Sequence, residues 1–350
     1  MGTTTLARKR FMAGAAALLF LLLSGCASTW VMDLQPTDTR MQWPSQPKKA
    51  KAVLLSDIQG FRESGISASS LVYGRGVHKL RRPGSVATGP DGRLAIADTG
   101  CNCVHVYLPA EQQYHKVLGT GKEAFLSPVG IAFDNEEKIY IADSALAKIF
   151  VFDSQLAFLF SIGQAADGAL KRPTGLAFDR NRNVLYAVDT LAHAVHAFDT
   201  KGTYLFSFGR RGTEEGQFNF PTHIFWSASG KVYVTDSMNF RVQIFSLEGN
   251  FLSAFGSQGD GSGDFAIPKG VAADKDRTVF VVDSLFDTVQ LFDADQGEFL
   301  LALGRRGTGP GEFWLPSGIF IDDDDKLYVC DTFNERVQVF QLFRSKDQGE

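Results

Sequence analysis

One unit repeats six times along this chain of 350 residues. Each unit opens with a proline, and successive prolines are 45, 45, 48, 47 and 48 residues apart. An aspartate followed by serine or threonine comes 15 or 16 residues after each proline. The prolines are Pro83, Pro128, Pro173, Pro221, Pro268 and Pro316, and the aspartates are Asp98, Asp143, Asp189, Asp236, Asp283 and Asp331. Such a period indicates an array in which each unit covers the apolar face of its neighbour.

Each repeat contains patterns that predict four short β-strands. Residues 139–143 and 232–236 are rich in β-forming side chains, and residues 241–245 alternate polar and apolar ones, as half-buried strands do. Turn-forming residues separate these runs, and a phenylalanine-rich run closes each of the first five units at a glycine. Four strands in a unit of this length correspond to one blade of a propeller.

The two ends of the array predict how the ring closes. The last unit stops near Phe343 without a fourth strand, whereas a run typical of a fourth strand ends at Gly74, before the first unit. We therefore expect residues 71–73 to complete the last blade, because this pairing leaves no large sheet edge exposed. The predicted fold is all-β: a six-bladed β-propeller over residues 69–343, with four-stranded blades and a ring closed by an N-terminal strand.

The units resemble the NHL repeat, which has a Pro-Gly-apolar start, an apolar-Ala-Asp-Ser centre and an Asn-x-Arg-Val turn leading to glutamine and phenylalanine. Residues 236–242 and 331–337, in units four and six, match this turn best, while the other units keep the aspartate and lose the Asn-x-Arg. The resemblance covers about residues 70–343 and implies NHL-type blades. The family includes protein-binding, RNA-binding, sensor and enzymatic members, so the resemblance implies no single activity.

The N-terminus has the pattern of an exported protein. Residues 8–10 are basic, and the 13 apolar residues that follow are fewer than the ~20 of a membrane-spanning helix. Residues 1–25 are predicted to be a signal peptide, with a weak membrane anchor as the alternative. Residues 23–26 resemble the lipobox of bacterial lipoproteins, which implies cleavage before Cys26 and lipidation of that cysteine. Ala27 implies an outer-membrane destination by the sorting rule of Gram-negative lipoproteins.

Three further segments are predicted outside the repeats. Residues 26–50 contain three prolines and no sustained apolar period, so we expect a tether, although residues 43–47 could also pack on the domain. Residues 51–68 are expected to be a lead-in segment and residues 344–350 a polar tail. Loss of the signal's three positive charges changes the net charge from −4 to −7. This balance argues against nucleic-acid binding, which favours a basic surface.

Residues that break the repeat's symmetry are the best candidates for a binding site. The six aspartates recur in every unit, so we expect them to accept backbone hydrogen bonds in turns and not to act as catalytic acids. Four other units have glycine at the position of His223, and four have alanine at the position of Phe225. Two arginine pairs lie in loops between blades. Arginine side chains bind carboxylates and phosphates well, which makes these loops candidates for ligand contact; the alternative is that they are solvated charges without a binding role. The candidate binding face comprises Arg210, Arg211, His223, Phe225, Arg305 and Arg306.

The cysteines allow several states in an oxidising envelope. Cys101 and Cys103 could form a small-ring disulfide, take up a metal or stay reduced, and Cys330 is expected in the core. His223 has no histidine at the matching position of another unit, and a zinc site needs about three protein ligands. This departure argues against the zinc-dependent lyase chemistry known among NHL-like propellers. We predict no catalytic residue, no resident metal and no cofactor.

The function predicted from these features is that of a lipid-anchored, non-catalytic binding or scaffolding module of the bacterial cell envelope, and its expected location is the outer membrane. Its partner is expected to be another envelope protein or a peptide, and contact with the membrane is expected only through the lipid. Two alternatives are an envelope enzyme of lyase or hydrolase type and a small-ligand sensor, each with a site at the channel mouth near His223.

Overall fold

Six antiparallel sheets make up most of the structure. The computed structural model describes residues 29–36, 41–46, 48–65, 75–166, 168–275 and 277–343. Four strands precede the repeats: β1 (Trp30–Pro36), β2 (Gln42–Trp43), β3 (Ala52–Glu63) and β4 (Val77–Lys79). No helix among the described residues is long and apolar enough to cross a membrane.

Five repeats each fold into a four-stranded sheet whose strands follow one another in chain order. Blade one comprises β5 (Pro83–Thr88), β6 (Leu94–Asp98), β7 (Cys103–Leu108) and β8 (Gln113–Val117). Blade two comprises β9 (Pro128–Phe133), β10 (Ile139–Asp143), β11 (Lys148–Phe152) and β12 (Phe158–Ile162); the hairpin β13 (Gln164–Ala165) and β14 (Gly168–Ala169) follows it. Blade three comprises β15 (Pro173–Asp179), β16 (Val184–Asp189), β17 (Ala194–Phe198) and β18 (Tyr204–Phe208).

The remaining repeats complete the ring. Blade four comprises β19 (Pro221–Ser227), β20 (Lys231–Asp236), β21 (Arg241–Ser246) and β22 (Phe251–Phe255), with a 3-10 turn at Ser237–Asn239. Blade five comprises β23 (Pro268–Ala273), β24 (Thr278–Asp283), β25 (Thr288–Asp293) and β26 (Phe299–Leu303). Blade six comprises β27 (Ile319–Ile321), β28 (Lys326–Asp331) and β29 (Arg336–Leu342), with a 3-10 turn at Thr332–Asn334.

The first strands of the blades surround a central axis. Each first strand contacts the first strand of the next blade, and β27 contacts β5, so the ring is closed. The predicted all-β, six-bladed propeller is therefore confirmed. We call the side that carries the repeat aspartates, the opening prolines and the loops between blades the Asp face. The opposite side carries the turns that join the first and second strands, and we call it the hairpin face.

Phenylalanine fills the spaces between blades, which explains its abundance. In each of blades four, five and six, a fully buried ring precedes the opening proline and packs against the glycine that ends the preceding fourth strand. The pairs are Phe218 with Gly209, Phe265 with Gly256, and Phe313 with Gly304. A Cβ on Gly209 would lie 2.4 Å from the Phe218 ring, and its φ of +87° also favours glycine. Close packing of each ring therefore requires glycine at the strand end.

The strand that closes the ring differs from the expected one. Residues 71–73 lie outside the described residues, and β3 occupies the place of the fourth strand by pairing with β29 in antiparallel register. Asp57 of β3 pairs with the buried Arg336 at 2.7 Å, which anchors this strand to the last repeat. Closure by an N-terminal strand is thus confirmed, but the sheet uses residues that we expected to form a lead-in segment. Long-range packing selects β3 because it supplies both an apolar face and the partner of Arg336.

The segment expected to be a tether also contributes to the domain. Strand β1 pairs with β3, and β2 pairs with the beginning of β3. Trp30 packs on Tyr114 and Trp43 on Phe340, with ring centroids 4.9 and 5.7 Å apart. Partial burial of the two indoles explains why residues 30–36 and 42–43 pack on blades one and six and do not extend as a free linker. Cys26 and the polar tail at 344–350 lie outside the described residues.

Candidate functional site

The six repeat aspartates hold the Asp face together from inside. All are at most 1% exposed, and each accepts backbone N–H groups from the residues just before its blade's opening proline. Asp98, for example, accepts from Arg81 N at 2.7 Å, from Arg82 N at 2.9 Å and from Gly100 N at 2.8 Å. Each carboxylate thus ties the start of the first strand to the end of the second. The arrangement is that of a structural turn.

In blades four and six, three side chains from the following turn also converge on the aspartate. Oδ2 of Asp236 accepts from Asn239 Nδ2 at 2.8 Å, Arg241 Nε at 2.9 Å and Gln243 Nε2 at 3.0 Å. The donors are the third, fifth and seventh residues after the aspartate. Blade six repeats this geometry around Asp331 with Asn334, Arg336 and Gln338. The fold therefore directs these three positions toward one carboxylate oxygen.

Blade one places different chemistry at the same three positions. They are occupied by Cys101, Cys103 and His105, and the two cysteines form a disulfide bond. Among the three alternatives for this pair, the structure has the disulfide. Nε2 of the buried His105 lies 3.4 Å from Asp98 Oδ2, and Nδ1 lies 2.8 Å from the Tyr114 hydroxyl. Burial opposes ionisation of Asp98, but hydrogen bonds from His105 and backbone N–H groups outweigh it and lower the pKa of that carboxyl. Cys330 is free and buried, as its prediction as a core residue requires.

Large apolar side chains are exposed on the Asp face of blades four to six. Each of these blades presents one residue one or two positions before its opening proline and one two positions after its aspartate. They are Phe220 and Met238, Ile267 and Leu285, and Trp314 and Phe333, and they are 36–56% exposed. Leu191 of blade three and Leu126 of blade two extend this set, which we call the apolar arc. Contiguous exposed apolar surface is typical of interaction sites.

Basic side chains stand where the apolar arc is interrupted. Blade one has Arg81 and Arg82 before its opening proline, and blade three has Lys171 and Arg172. All four are exposed, and the Arg82 guanidinium lies 5.6 Å from the centre of the Phe333 ring. The Asp face therefore carries exposed apolar side chains in blades four to six, and two basic pairs lie in the neighbouring blades three and one.

The structure divides the predicted binding face into two parts. Arg210, Arg211, Arg305 and Arg306 lie in loops on the Asp face; Arg305 pairs with Glu312 at 3.0 Å, and Arg306 lies 3.8 Å from Asp287. His223 and Phe225 lie on the first strand of blade four and line the central cavity instead. The arginines and the channel residues therefore do not form one site. The apolar arc was not predicted, although large apolar residues two positions after four of the aspartates were visible in the sequence.

A cavity of about 610 Å³ occupies the central axis and reaches the turns of the hairpin face. Its wall includes Phe178, Phe225, Trp226 and Phe320, and the rings of Phe225 and Phe320 lie 6.5 Å apart. The indole N–H of Trp226 has no acceptor among the described residues. Cavities of this size with aromatic walls are typical of small-molecule sites.

Charged groups surround the mouth of this cavity. Arg180 of blade three pairs with Asp323 of blade six at 2.7 Å, and these blades are opposite each other in the ring. Lys275 Nζ donates to the carbonyl oxygen of Asp323 at 2.7 Å. The Arg180–Asp323 pair joins opposite sides of the mouth on the hairpin face, and Lys275 joins the neighbouring blades five and six.

His223 lies deeper along the same axis. Its Nδ1 accepts the Val271 N–H at 3.3 Å, so the ring proton is on Nε2. Burial lowers the pKa of His223 to about 4, which keeps the ring neutral near pH 7. Among the described residues, no carboxylate or second histidine forms an acid–base pair with the neutral ring.

Comparisons with known proteins agree on the architecture. Residues 213–284 and 271–346 match the model of a family described as a 6-bladed beta-propeller. None of the curated proteins matches this sequence. A streptogramin B lyase structure has 11% identity and a TM-score of 0.57, with 90% of this chain and 98% of that chain covered. A virginiamycin B lyase from Staphylococcus aureus has 13% identity and a TM-score of 0.54, over 75% and 95%. An auxiliary nutrient binding protein from Bacteroides thetaiotaomicron has 11% identity and a TM-score of 0.56, over 75% and 69%. Similarity at this level concerns the fold alone.

Proposed function

We propose that this protein is a lipid-anchored binding module of the bacterial cell envelope that holds a protein or peptide on its Asp face and has no catalytic activity. In this proposal the blades are of NHL type, and the lipid on Cys26 attaches the domain to the outer membrane. The observation that carries the proposal is the apolar arc. Six large apolar side chains in blades four to six are exposed beside the opening prolines and two positions after the repeat aspartates.

The composition of the Asp face indicates the chemistry of the partner. Phenylalanine, tryptophan, methionine and arginine are enriched at protein interfaces, and all four occur here. Trp314 and Phe333 pack in a tilted arrangement with centroids 5.7 Å apart, and Arg82 lies over Phe333. We infer a partner segment that inserts apolar side chains into the arc and has carboxylates beside them. Those carboxylates would meet Arg81 and Arg82 or Lys171 and Arg172.

Site-specific photo-crosslinking in intact cells tests the face. A photoreactive phenylalanine analogue at Met238, on the Asp face, should give one discrete crosslinked protein species. The same analogue at Leu252, on the outer strand β22, is the matched control, because the two side chains are 53% and 50% exposed. Crosslinking to the same species from both positions would place the interface elsewhere.

A second experiment tests whether the crosslinked partner depends on the apolar arc. Met238→Asp should weaken binding by at least tenfold, because a charge would be buried in an apolar contact. Leu252→Asp should leave binding unchanged. Equal binding by wild type and Met238→Asp would contradict the proposal.

Membrane attachment has its own test. Metabolic labelling with a fatty acid should label the wild type, and Cys26→Ser should abolish the label, because a serine hydroxyl cannot form the thioether. Labelling that persists in Cys26→Ser would exclude lipidation at this residue. Fractionation of inner and outer membranes then tests the destination.

The central cavity favours a second candidate function, the binding of a small ligand with an apolar body. Its volume of about 610 Å³ and its aromatic wall support such a ligand. The fluorescent probe 1-anilinonaphthalene-8-sulfonate provides a test. Ala177→Trp, which fills the cavity wall, should abolish saturable binding of this probe, and Leu252→Asp should not. Unchanged binding by Ala177→Trp would contradict a ligand site in the cavity.

A further inference from the structure

We propose that Cys101, Cys103, His105 and Asp98 form a zinc site when the Cys101–Cys103 disulfide is reduced. The blade-one turn would then have two states, a disulfide and a zinc complex. The inference rests on geometry that the repeat imposes on this turn and does not depend on the proposed binding function.

The repeat directs all three side chains at one point. In blades four and six, the residues three, five and seven positions after the aspartate donate to a single carboxylate oxygen. In blade one these positions hold Cys, Cys and His, and their ligand atoms all lie within 4.8 Å of one another. Hydrogen-bond donors have therefore been replaced by residues that bind metals. The aspartate lies beside the histidine in this arrangement, with its Oδ2 3.4 Å from His105 Nε2.

The distances around His105 match the edges of a zinc tetrahedron. Ligand atoms at ~2.0–2.3 Å from a tetrahedral zinc lie roughly 3.3–3.8 Å from one another. Nε2 of His105 lies 3.4 Å from Cys103 Sγ, 3.7 Å from Cys101 Sγ and 3.4 Å from Asp98 Oδ2. To complete a tetrahedron, the two sulfur atoms must move apart, which requires cleavage of the disulfide, and Asp98 must move closer to them, because it is not among the groups that lie within 4.8 Å of one another.

The surroundings of the four groups suit zinc. Nδ1 of His105 lies 2.8 Å from the Tyr114 hydroxyl, which can accept the Nδ1–H when Nε2 binds the metal. Asp98 is held in place by three backbone N–H groups. A carboxylate beside two thiolates and an imidazole favours Zn²⁺ over Cu⁺, which prefers soft ligands alone.

Electrons and protons balance when a dithiol reduces the disulfide. A dithiol reductant attacks the sulfur of Cys101, which is half-buried, whereas Cys103 is buried. The reductant loses two electrons and becomes a disulfide, and its two protons pass to the two cysteine sulfurs. Zinc then displaces both protons to solvent and binds the thiolates, the neutral imidazole and the carboxylate.

Cobalt substitution tests the site in the full chain without its signal peptide. The protein is reduced with a phosphine, freed of reductant under argon and titrated with Co²⁺. One equivalent should produce the thiolate-to-cobalt charge-transfer band and the visible bands of a tetrahedral ion, and one equivalent of Zn²⁺ should remove them. The protein with its disulfide intact should show neither band. Absence of the bands after reduction would overturn the proposal.

Matched variants identify the ligands. His105→Gln introduces the residue that blades four, five and six have at this position, so the fold should tolerate it. It should weaken zinc binding by at least the ~10–100-fold that loss of a supporting group costs. His196→Gln, at the same position of blade three, should leave binding unchanged, as should Cys330→Ala. Unaltered affinity in His105→Gln, or uptake of Cu⁺ but not Zn²⁺ in competition with bathocuproine disulfonate, would overturn the assignment.

Discussion

Acidification should destabilise the protein through His223. The ring is neutral in the folded protein because burial lowers its pKa from 6.5 to about 4. In the unfolded chain the same ring takes up a proton near pH 6.5. The stability that depends on this difference is therefore fully present above pH 6.5 and is lost as the pH falls toward 4. At about 1.4 kcal/mol per pKa unit, the loss amounts to ~3 kcal/mol.

The variant His223→Asn isolates this contribution. The asparagine Oδ1 can accept the Val271 N–H that His223 Nδ1 accepts at 3.3 Å, but asparagine does not titrate. Urea unfolding at several pH values between 7 and 4 gives the free energy of unfolding of both proteins. The difference between wild type and variant should change by ~3 kcal/mol in favour of the variant over this range.

A third protein controls for unrelated effects of histidine. His115 is exposed on β8, and His115→Asn should keep the pH dependence of the wild type. The reasoning fails if the wild type and His223→Asn lose stability in parallel as the pH falls. That result would mean that water or a neighbouring group solvates the charged ring in the channel.

Three other predictions concern closure, a buried charge and association. Deletion through residue 50 should leave a monomeric domain. Deletion through residue 63 should remove β3, expose β29 and cause aggregation, which size-exclusion chromatography would reveal. A protein that remains monomeric after the longer deletion would refute this prediction. Arg336→Ala should lower the free energy of unfolding, measured in urea, by about 3–5 kcal/mol, because it removes the cation that pairs with two buried carboxylates. A decrease below ~1 kcal/mol, which is typical of the loss of an exposed ion pair, would contradict this prediction. Reversal of Arg305 and Arg306 to glutamate should slow association with an acidic partner and flatten its salt dependence in stopped-flow measurements; unaltered rates would place the contact elsewhere on the propeller.

Much of the fold could be predicted from the sequence because its signals are local. The spacing of prolines and aspartates defines the unit, and alternation within each unit defines the strands. Closure by an N-terminal strand follows from the missing fourth strand of the last repeat. The strand itself could not be identified, because several runs before Pro83 have β-forming side chains. Its choice depends on Asp57 reaching Arg336, a contact across 279 residues of sequence.

The candidate sites could likewise be predicted only in part from the sequence. His223 and Phe225 break the repeat pattern and could be found from sequence, yet their separation from the arginine loops depends on which way each loop faces in the ring. Met238 and Leu285 resemble core residues in the sequence, and only the direction of the turn after each aspartate places them in solvent. Cys103 and His105 lie on one face of β7, but Cys101 precedes this strand, so strand spacing alone does not bring all three together. The turn after Asp98 does, because it bends the chain around one buried carboxylate.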